Sequence, residues 1–503
     1  MFIRKIKSRN GNQQIQVVQK VGRDNRVVKH LGTARNELEL KQLIDLASNF
    51  IEGKRIESGK LSLFDNRYSQ SEMRQILSRF HILKVLDSVK FDFLNHFYHL
   101  LNFDGLKDDC FRDLVIARII FPASKAKTRD FLESKLDKRY SLSGLYRCLE
   151  KSYCLGYQNI LEDKVTTFAQ SGPTISVLFF DVTTLYYESF AEDDFRKCGF
   201  SKDNKANQPQ LIVTLTVTAD GFPLHLRVFP GNKFEGHLML PCIKTTIENH
   251  HLKDLVVVAD SAMVSKANME ELEKNNLSYI VGARLGNLPH SLWTQVISVA
   301  KIDGTLERFS FGNDRFLIVS YNSKRASKDK SDREKQIKRA AFVLSHPAVV
   351  GRRYKFLRKT DKEKWELDRT NIQKAKEMEG LKGYVTNAAN LTNEEIVEKY
   401  SSLWQVEKSF RISKSDLKAR PIFHTVREKI EAHLAIVFAG LAMIKLVEKT
   451  SSHSIQKVLW LLDQMKEVII EDAVNRERIS KYSEIQIQET KDLLKIAKLG
   501  WGT

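Results

Sequence analysis

The sequence has few cysteines, and none of them is spaced as a metal-binding or disulfide pair. Five cysteines occur in 503 residues, and no Cys-x-x-Cys pair is present. Structural zinc sites and disulfide frameworks both depend on closely spaced cysteines, so this sequence favours neither. Scattered free thiols are typical of a reducing compartment, and they predict a cytoplasmic protein.

The chain also lacks an apolar run long enough to cross a bilayer. Its first residues, MFIRKIKSRNGNQQ, contain no apolar segment, so no secretory signal is expected. The most apolar stretch is IEAHLAIVFAGLAMIKLV, and Glu431, His433 and Lys445 interrupt its ends. What remains, residues 434–444, is shorter than the ~20 apolar residues that a membrane helix needs. This stretch therefore predicts a buried core helix and no membrane association.

Acidic residues are in the minority. The sequence has 81 Lys and Arg against 62 Asp and Glu, which gives a net charge of +19 and a pI of about 9.5. Such a balance favours a polyanionic partner, because Lys and Arg gain affinity by displacing counterions from phosphates. Many basic proteins bind no nucleic acid, so charge alone leaves both interpretations open.

The length predicts several domains, since 503 residues exceed what one core normally supports. Residues 1–35 alternate in short runs that are typical of a small β-meander, and residues 36–60 are predicted to be helical. Residues 70–170 have helical spacing, and within them 125–152 fits either a helix-turn-helix or a plain helical bundle. Everything after Glu428 is predicted to be helical.

From residue 173 the pattern changes to alternating strands and helices, which predicts a mixed α/β sheet. The strands are SVLFF, a hairpin LIVTLTVTADGFPLHLRVFPGN, DLVVVAD, LSYIVGARL and GYVTNA. After the last strand, Thr392 and Glu395 form a T-x-x-E capping box for a helix predicted to run to about Asp416. Between the last two strands, 286–382 interrupts the rhythm and predicts an inserted, partly β subdomain with a very basic helical segment.

Two of these apolar strands are predicted to end on an aspartate. Asp181 follows SVLFF directly, and Asp260 follows LVVVA. Sites in α/β sheets form at the carboxyl ends of strands, so neighbouring strands would bring both carboxylates to one edge. Two close like charges need a cation between them, and oxygen ligands select Mg²⁺ or Mn²⁺. The alternative is that each Asp caps a following turn or helix.

A third carboxylate lies on the helix KYSSLWQVEKSFRISKSD. Steps of three, four and seven residues place Tyr400, Leu403, Glu407, Arg411 and Lys414 on one face. Glu407 is then either an exposed residue paired with Arg411 or a ligand that points into a site. Arg411 and Lys414 are suitably placed to bind phosphates.

Together, Asp181, Asp260 and Glu407 resemble the DDE triad of bacterial insertion-sequence transposases, which lies in a ribonuclease-H-like domain. The spacing Y-x2-L-x3-E-x6-K, from Tyr400 to Lys414, is similar to the signature Y-x2-R-x3-E-x6-K of the group that includes insertion sequence four. The long segment before Glu407 is similar to the β-rich insertion of that group. The resemblance covers roughly 173–445, and it departs from the signature where leucine replaces arginine.

This resemblance implies a DNA transposase that binds the inverted-repeat ends of its element and catalyses metal-dependent cleavage and strand transfer. Two Mg²⁺ ions, replaceable by Mn²⁺, would be held by Asp181, Asp260 and Glu407, with Asp181 bridging both. The implied partners are transposon-end and target DNA and a second copy of the chain, in the bacterial cytoplasm at the nucleoid, with no small-molecule cofactor. A metal-dependent nuclease without strand transfer and a catalytically decayed DNA-binding protein remain alternatives.

Four residues near the third carboxylate are candidate DNA contacts. Arg411 and Lys414 would bind phosphates, and Tyr400 would position a phosphate or a base. Trp404 offers a ring on which a base could stack. Core packing is the alternative for Tyr400 and Trp404.

The expected fold is therefore a ribonuclease-H-like mixed sheet within a chain of five regions. They are a basic β/α module (1–60), a helical and DNA-binding region (61–172), the catalytic domain (173–285 and 383–447), the inserted subdomain (286–382) and a C-terminal helical region (448–503).

Overall fold

A computed structural model describes the chain except for residues 8–11, 23, 58–77, 189, 200–206, 251, 253, 262–264, 347–354, 361–364, 475, 485–486 and 499–503. The chain divides into two compact units. The first comprises Met1–His81 and Ile470–Arg478, and the second comprises Ile82–Ile469 and Ile479–Thr503.

The first unit is built around a three-stranded antiparallel sheet and one helix. The strands are β1 (Phe2–Lys7), β2 (Gln13–Val21) and β3 (Asp24–Ala34), in that order, and α1 spans Glu37–Glu57. Ile15 and Val17 of β2 are buried with Ala47 of α1. The predicted β-meander followed by a helix is confirmed.

The second unit begins within strand β4 (Phe80–Leu86), which is followed by a layer of five helices. These are α2 (Ser88–Leu100), α3 (Asp109–Ile120), α4 (Lys125–Leu136), α5 (Leu142–Cys154) and α6 (Tyr157–Gln170). Polar side chains begin three of them: Asp108, Ser124 and Ser141 each accept a hydrogen bond from the backbone N–H three residues later. The segment 125–152 is thus a pair of helices joined by a short turn.

The centre of this unit is an eight-stranded mixed sheet. Seven of its strands are β5 (Val177–Tyr186), β6 (Gln210–Thr218), β7 (Pro223–Pro230), β8 (Val256–Ala259), β9 (Ser278–Ala283), β10 (Leu306–Ser310) and β11 (Phe316–Tyr321). A separate small hairpin follows, made of β12 (Leu357–Lys359) and β13 (Trp365–Leu367). The eighth strand of the main sheet is β14 (Leu381–Thr386). The order is β10-β11-β14-β9-β8-β5-β6-β7. Only β5–β8 and β8–β9 are parallel. This is the predicted mixed α/β class, consistent with a ribonuclease-H-like fold.

In the described part of the chain, ten further α-helices surround or follow the sheet. They are α7 (Met239–His250), α8 (Lys266–Lys274), α9 (His290–Ile297), α10 (Ser323–Ser345), α11 (Arg369–Glu377), α12 (Asn393–Ser401), α13 (Trp404–Ser415), α14 (Arg427–Ser451), α15 (Ile455–Asp463) and α16 (Gln488–Ile496). Two more strands, β15 (Glu467–Asp472) and β16 (Arg478–Tyr482), form a sheet in the order β16-β15-β4.

Helix α14 contains the apolar stretch that sequence predicts as a core helix. It is the one helix of the described chain that is long and apolar enough to span a membrane, and 94% of its most apolar stretch is buried inside the protein. Its side chains share one hydrophobic cluster with those of α2–α6 and β5–β7. The expectation of a buried core helix is confirmed.

Two predictions of continuous helix are wrong. Residues 80–86 form β4, and the chain after Glu428 includes β15 and β16. Both segments pair with strands that are distant in sequence, and such pairing overrides the local apolar spacing. The part of the predicted helical region at 58–77 lies outside the described residues.

Two further boundaries differ from the sequence-based expectation. Strands β10 and β11 of the segment 286–382 extend the main sheet. The helix that begins with the confirmed capping box of Thr392 and Glu395 ends at Ser401, and α13 begins only at Trp404. The N–H of Leu403 donates to the carbonyl of Tyr400, which tightens this turn and separates the two helices. The five-region division of the chain stays a prediction.

A group of basic side chains, Arg118, Lys125, His424 and His433, is buried in the helical layer. Arg118 donates to the Nδ1 atom of His433 at 3.0 Å, and the ring of His424 lies 5.7 Å from that of His433. Burial, together with the charges of Lys125 and Arg118, lowers the pKa of His424 to about 4. This part of the core therefore requires neutral histidines.

We expect His424→Phe to weaken the acid sensitivity of the fold. An unfolded histidine titrates near 6.5, so the neutral His424 contributes its full stability above that pH and loses it as the pH falls towards about 4. Urea unfolding midpoints at pH 7, 6 and 5 should fall less steeply in the variant than in the wild type. His290→Phe, at an exposed position, is the control. Equal slopes for the wild type and His424→Phe would contradict this account.

Candidate active site

The parallel pairing of β5 and β8 places two aspartates side by side. The last pair in register is Phe180 with Ala259, and Asp181 and Asp260 are the next residues on the two chains. Neighbouring strands lie about 4.8 Å apart, so the two backbones bring their carboxylates to one edge of the sheet. The predicted juxtaposition of two strands with carboxylates follows from this register.

The prediction that the first strand ends on its aspartate is wrong. Strand β5 continues to Tyr186, and Asp181 pairs with Leu215 of β6. What ends at Asp181 is the parallel pairing with β8, while the antiparallel pairing with β6 continues through Thr183 and Thr184. β-Branched residues favour extended backbone, which accounts for the additional strand.

Among the described residues, neither aspartate is the N-cap of a following α-helix. Asp181 lies inside a strand, and its Oδ1 atom accepts from the N–H of Val182 at 2.7 Å. Asp260 is exposed, and its Oδ1 atom accepts from the N–H of Ser261 at 2.6 Å. The N-cap of the next helix, α8, is Ser265. The capping alternative therefore does not account for Asp181.

Helix α13 lies against β5 and carries the third carboxylate. The Nζ atom of Lys414 donates to Thr183, which is two residues from Asp181 and so on the same face of the strand. Glu407 lies seven residues before Lys414, two turns earlier on the same side of the helix. In the described chain Glu407 forms no ion pair with Arg411, so the exposed-pair alternative is not realised.

Two contacts fix the orientation of α13. The Nζ atom of Lys408 pairs with Glu448 of α14 at 2.9 Å. The hydroxyl of Ser409 donates to the carbonyl of Gly221, in the turn between β6 and β7, at 3.0 Å. With one side of α13 attached to the core in this way, Glu407 is left on the exposed side.

Tyr400 connects the end of α12 to the second aspartate. Its ring is 7% exposed and packs against Tyr384 with centroids 4.9 Å apart. Its hydroxyl donates to the Oδ1 atom of Asp260 at 3.5 Å. Burial, followed by the charge of Asp260, raises the pKa of Tyr400, and the charge of Glu407 adds to this rise. Tyr400 is therefore placed to position Asp260.

Lys382, on β14, is a site residue that sequence analysis missed. Its ammonium lies 4.6 Å from the ring centroid of Tyr400 and 5.3 Å from that of Tyr384. Burial lowers the pKa of Lys382, and the negative charges of Asp260 and Glu407 oppose that shift. Both carboxylates thus act on the same ammonium group. The sequence feature that could have identified it is a lysine inside the largely apolar strand LKGYVT.

The residues fit a hard cation in their chemistry, although they are not gathered around one ion. Within the described ranges, no group of three or more His, Cys, Asp and Glu side chains is close enough to hold a metal. The donors that converge at this edge are carboxylate oxygens, which suit Mg²⁺ or Mn²⁺. The positive charge of Lys382 acts electrostatically on two of them.

The four candidate DNA contacts have different environments. Tyr400 is buried against other aromatic and charged groups of the site, whereas Trp404 is 52% exposed at the start of α13. Arg411 is exposed, and Lys414 is half-buried with its hydrogen bond to Thr183. Leu403 is 7% exposed and belongs to the hydrophobic core, so its position supplies no charge to the site.

A glycine on β9 leaves the space that Tyr400 occupies. A Cβ atom on Gly282 would lie 2.5 Å from the Oη atom of Tyr400 and 3.3 Å from its Cζ atom. Real Cβ contacts do not occur at 2.5 Å, so a larger residue would displace the hydroxyl from Asp260.

We expect Gly282→Ala to destabilise the fold by about 1–3 kcal/mol, the usual range for overpacking. The double variant Gly282→Ala/Tyr400→Phe should recover much of that loss, because it lacks the Oη atom. Denaturant unfolding of both variants and of Gly286→Ala tests this. A Cβ atom at Gly286 meets only the Cε atom of Met378, at 3.8 Å. A loss that the second substitution does not relieve would show that the Tyr400 hydroxyl is not the limiting contact.

Comparison with known proteins gives one family match. A family model described as "Transposase DDE domain" matches residues 172–443, which include the strands and helices that carry the three carboxylates. No curated protein sequence matches the chain. A solved piggyBac transposase, in a synaptic complex with hairpin DNA, aligns over 75% of this chain and 70% of its own, with 10% identity and a TM-score of 0.36. A likeness at that level supports no argument about this protein.

Proposed function

Because the chain belongs to the transposase DDE-domain family, we propose that it is a DNA transposase with Asp181, Asp260 and Glu407 as its catalytic triad. The observation that carries this proposal is the β5–β8 register, which sets two carboxylates side by side. Helix α13 then adds a third carboxylate on its exposed side, and that carboxylate acts on the same lysine and tyrosine as Asp260.

The triad residues Asp181, Asp260 and Glu407 would hold two Mg²⁺ ions, and Mn²⁺ could substitute. When bound, such ions activate a water and stabilise the charge that develops on the reacting phosphate. The chain's own groups have separate tasks. Tyr400 keeps the carboxylate of Asp260 oriented, and Lys414 holds Thr183 on the face of β5 that carries Asp181.

The proposed reaction is cleavage at the inverted-repeat ends of an element, followed by strand transfer. Water attacks a phosphodiester at the end, and the P–O bond to the 3′-oxygen breaks to leave a 3′-hydroxyl and a 5′-phosphate. That 3′-hydroxyl then attacks a target phosphodiester, forms a new P–O bond and releases the target's own 3′-hydroxyl. Both steps exchange one P–O bond for another, so no covalent protein intermediate is required.

The exposed groups of α13 are proposed DNA contacts. Trp404 presents an open aromatic face on which a base can stack, and Arg411 has no ion-pair partner among the described residues. The net charge of +19 supports a polyanionic partner. Lys414 would contact a phosphate next to Thr183. Tyr400, being buried, is better suited to positioning Asp260 than to contacting DNA.

Finer features of the proposal rest on the signature from Tyr400 to Lys414. It supports membership of the group that includes insertion sequence four, action in the bacterial cytoplasm at the nucleoid, and a homodimer that holds two DNA ends. Leu403 lies in the core, so a signature arginine is not needed to complete the fold here. The positive charge of that arginine would have to be supplied by another residue.

The test uses a linear DNA that carries the coding segment with its native flanks, incubated with the full chain and Mg²⁺ or Mn²⁺. We expect the wild type to cut at the element ends and to produce joined products. Asp181→Asn, Asp260→Asn and Glu407→Gln should each reduce cutting by about 10³-fold or more, because several kcal/mol of transition-state stabilisation would be lost.

The control is Glu398→Gln, an exposed carboxylate on α12 whose substitution makes the same charge change. It should cut at the wild-type rate. Metal-dependent cutting at random positions without joined products would indicate a nuclease, and DNA binding without any cutting would indicate a decayed site. Equal cutting by the triad variants and the wild type would refute the assignment of the triad.

A further inference from the structure

A polar cavity of about 370 Å³ lies beside the candidate active site. It is lined by α10, α11, the start of β14, Lys355, the last residue of β9 and the residues that follow β9. Four basic and two acidic side chains line it. The basic ones are Arg325, Arg333, Lys355 and Lys382, and the acidic ones are Asp329 and Asp332. Such a lining favours an anionic ligand.

Not all of these charges are compensated by the protein. Arg325 lies 3.5 Å from Asp329, and Arg333 pairs with Glu379 at 2.6 Å. Among the described residues, neither Lys355 nor Lys382 forms an ion pair. The cavity therefore retains positive charge after its internal pairs are counted.

One face of the very basic helix α10 lines the cavity. Residues 324–339 contain eight Lys and Arg side chains. Arg325, Asp329, Arg333 and Gln336 follow at helical spacing and line the cavity, while Lys338 is exposed on the opposite side of α10. This arrangement separates the basic residues that surround a ligand-sized space from those on an ordinary solvated face.

Lys382 belongs to both the cavity and the carboxylate site. Its ammonium lies over the rings of Tyr400 and Tyr384, and the charges of Asp260 and Glu407 act on it. Partly burying an ammonium without a directly paired carboxylate is unfavourable unless a ligand compensates it. A phosphodiester that entered next to the carboxylates would provide that compensation.

We propose that this cavity binds a backbone phosphate of the DNA strand next to the scissile bond, with Lys382 as its principal contact and Arg325 as a second. The inference rests on the proposed transposase function. It also assigns a positively charged side chain to the region of the carboxylates. The signature position itself is Leu403 in this chain and supplies no charge.

The experiment measures binding of the full chain to a fluorescent 30-base-pair duplex, without metal, at several chloride concentrations. Each phosphate contact contributes about 0.9 to the slope of log K against log salt. Lys382→Gln should bind more weakly and lower that slope by about 0.9. Between 50 and 200 mM salt the wild type should thus lose about 3.5-fold more affinity than the variant does.

Two further variants and one control complete the design. Lys382→Arg should restore the slope, because it keeps the charge, and Arg325→Gln should lower the slope as Lys382→Gln does. Lys338→Gln removes the same charge from the far side of α10 and should leave the slope of the wild type. Lys382→Gln should also cut DNA ends more slowly than Lys338→Gln.

A Lys382→Gln slope equal to that of the wild type would overturn the inference, as would equal losses in Lys382→Gln and Lys338→Gln. These results are distinguishable from failure of the proposed function. If the proposed function were wrong, the wild type itself would not cut DNA ends, or the triad variants would cut as well as the wild type. Either result would hold whatever the duplex affinities of the variants. A wild type that binds no duplex would refute both.

Discussion

The parallel pairing between β5 and β8, which stops after Phe180 and Ala259, is the constraint on which the site depends. It forces two aspartates onto one edge of the sheet, where their charges repel unless a positive group lies between or beside them. In this chain the ammonium of Lys382 is a positive charge that acts on Asp260 and Glu407. The remaining parts of the site can be understood as supports for this group of charges.

Those supports come from segments that are distant in sequence. Helix α13 is attached to α14 by the Lys408–Glu448 pair and to the β6–β7 turn through Ser409. Tyr400 fills the space that Gly282 leaves open and reaches Asp260 from α12. Because α14 shares an apolar cluster with the helical layer and with β5–β7, this cluster supports the strand that carries Asp181.

Local patterns were sufficient to predict the strands that carry Asp181 and Asp260, the capping box at Thr392 and the core helix α14. Each of these depends on side-chain period or on contacts within a few residues. The extension of β5 beyond Asp181, strand β4 and the position of β10 and β11 in the main sheet were not predictable in this way. They depend on pairing between distant strands, which leaves little trace in a local window.

Lys382 illustrates the same limit at the site. A single lysine in a strand does not indicate its neighbours, and its proximity to Asp260 and Glu407 arises because β14, β9 and β8 are adjacent in the sheet. Conversely, the residues of the proposed triad could be named from the spacing of the sequence, while the burial of Tyr400 required the fold.

The central claim is that Asp181, Asp260 and Glu407 together hold the metal ions used for DNA cleavage. The most direct measurement is anomalous diffraction from crystals of the full chain soaked in Mn²⁺. The account predicts anomalous peaks at the edge of the sheet, within coordination distance of all three carboxylates. Mn²⁺ bound elsewhere on the chain, with no peak at this edge, would contradict it.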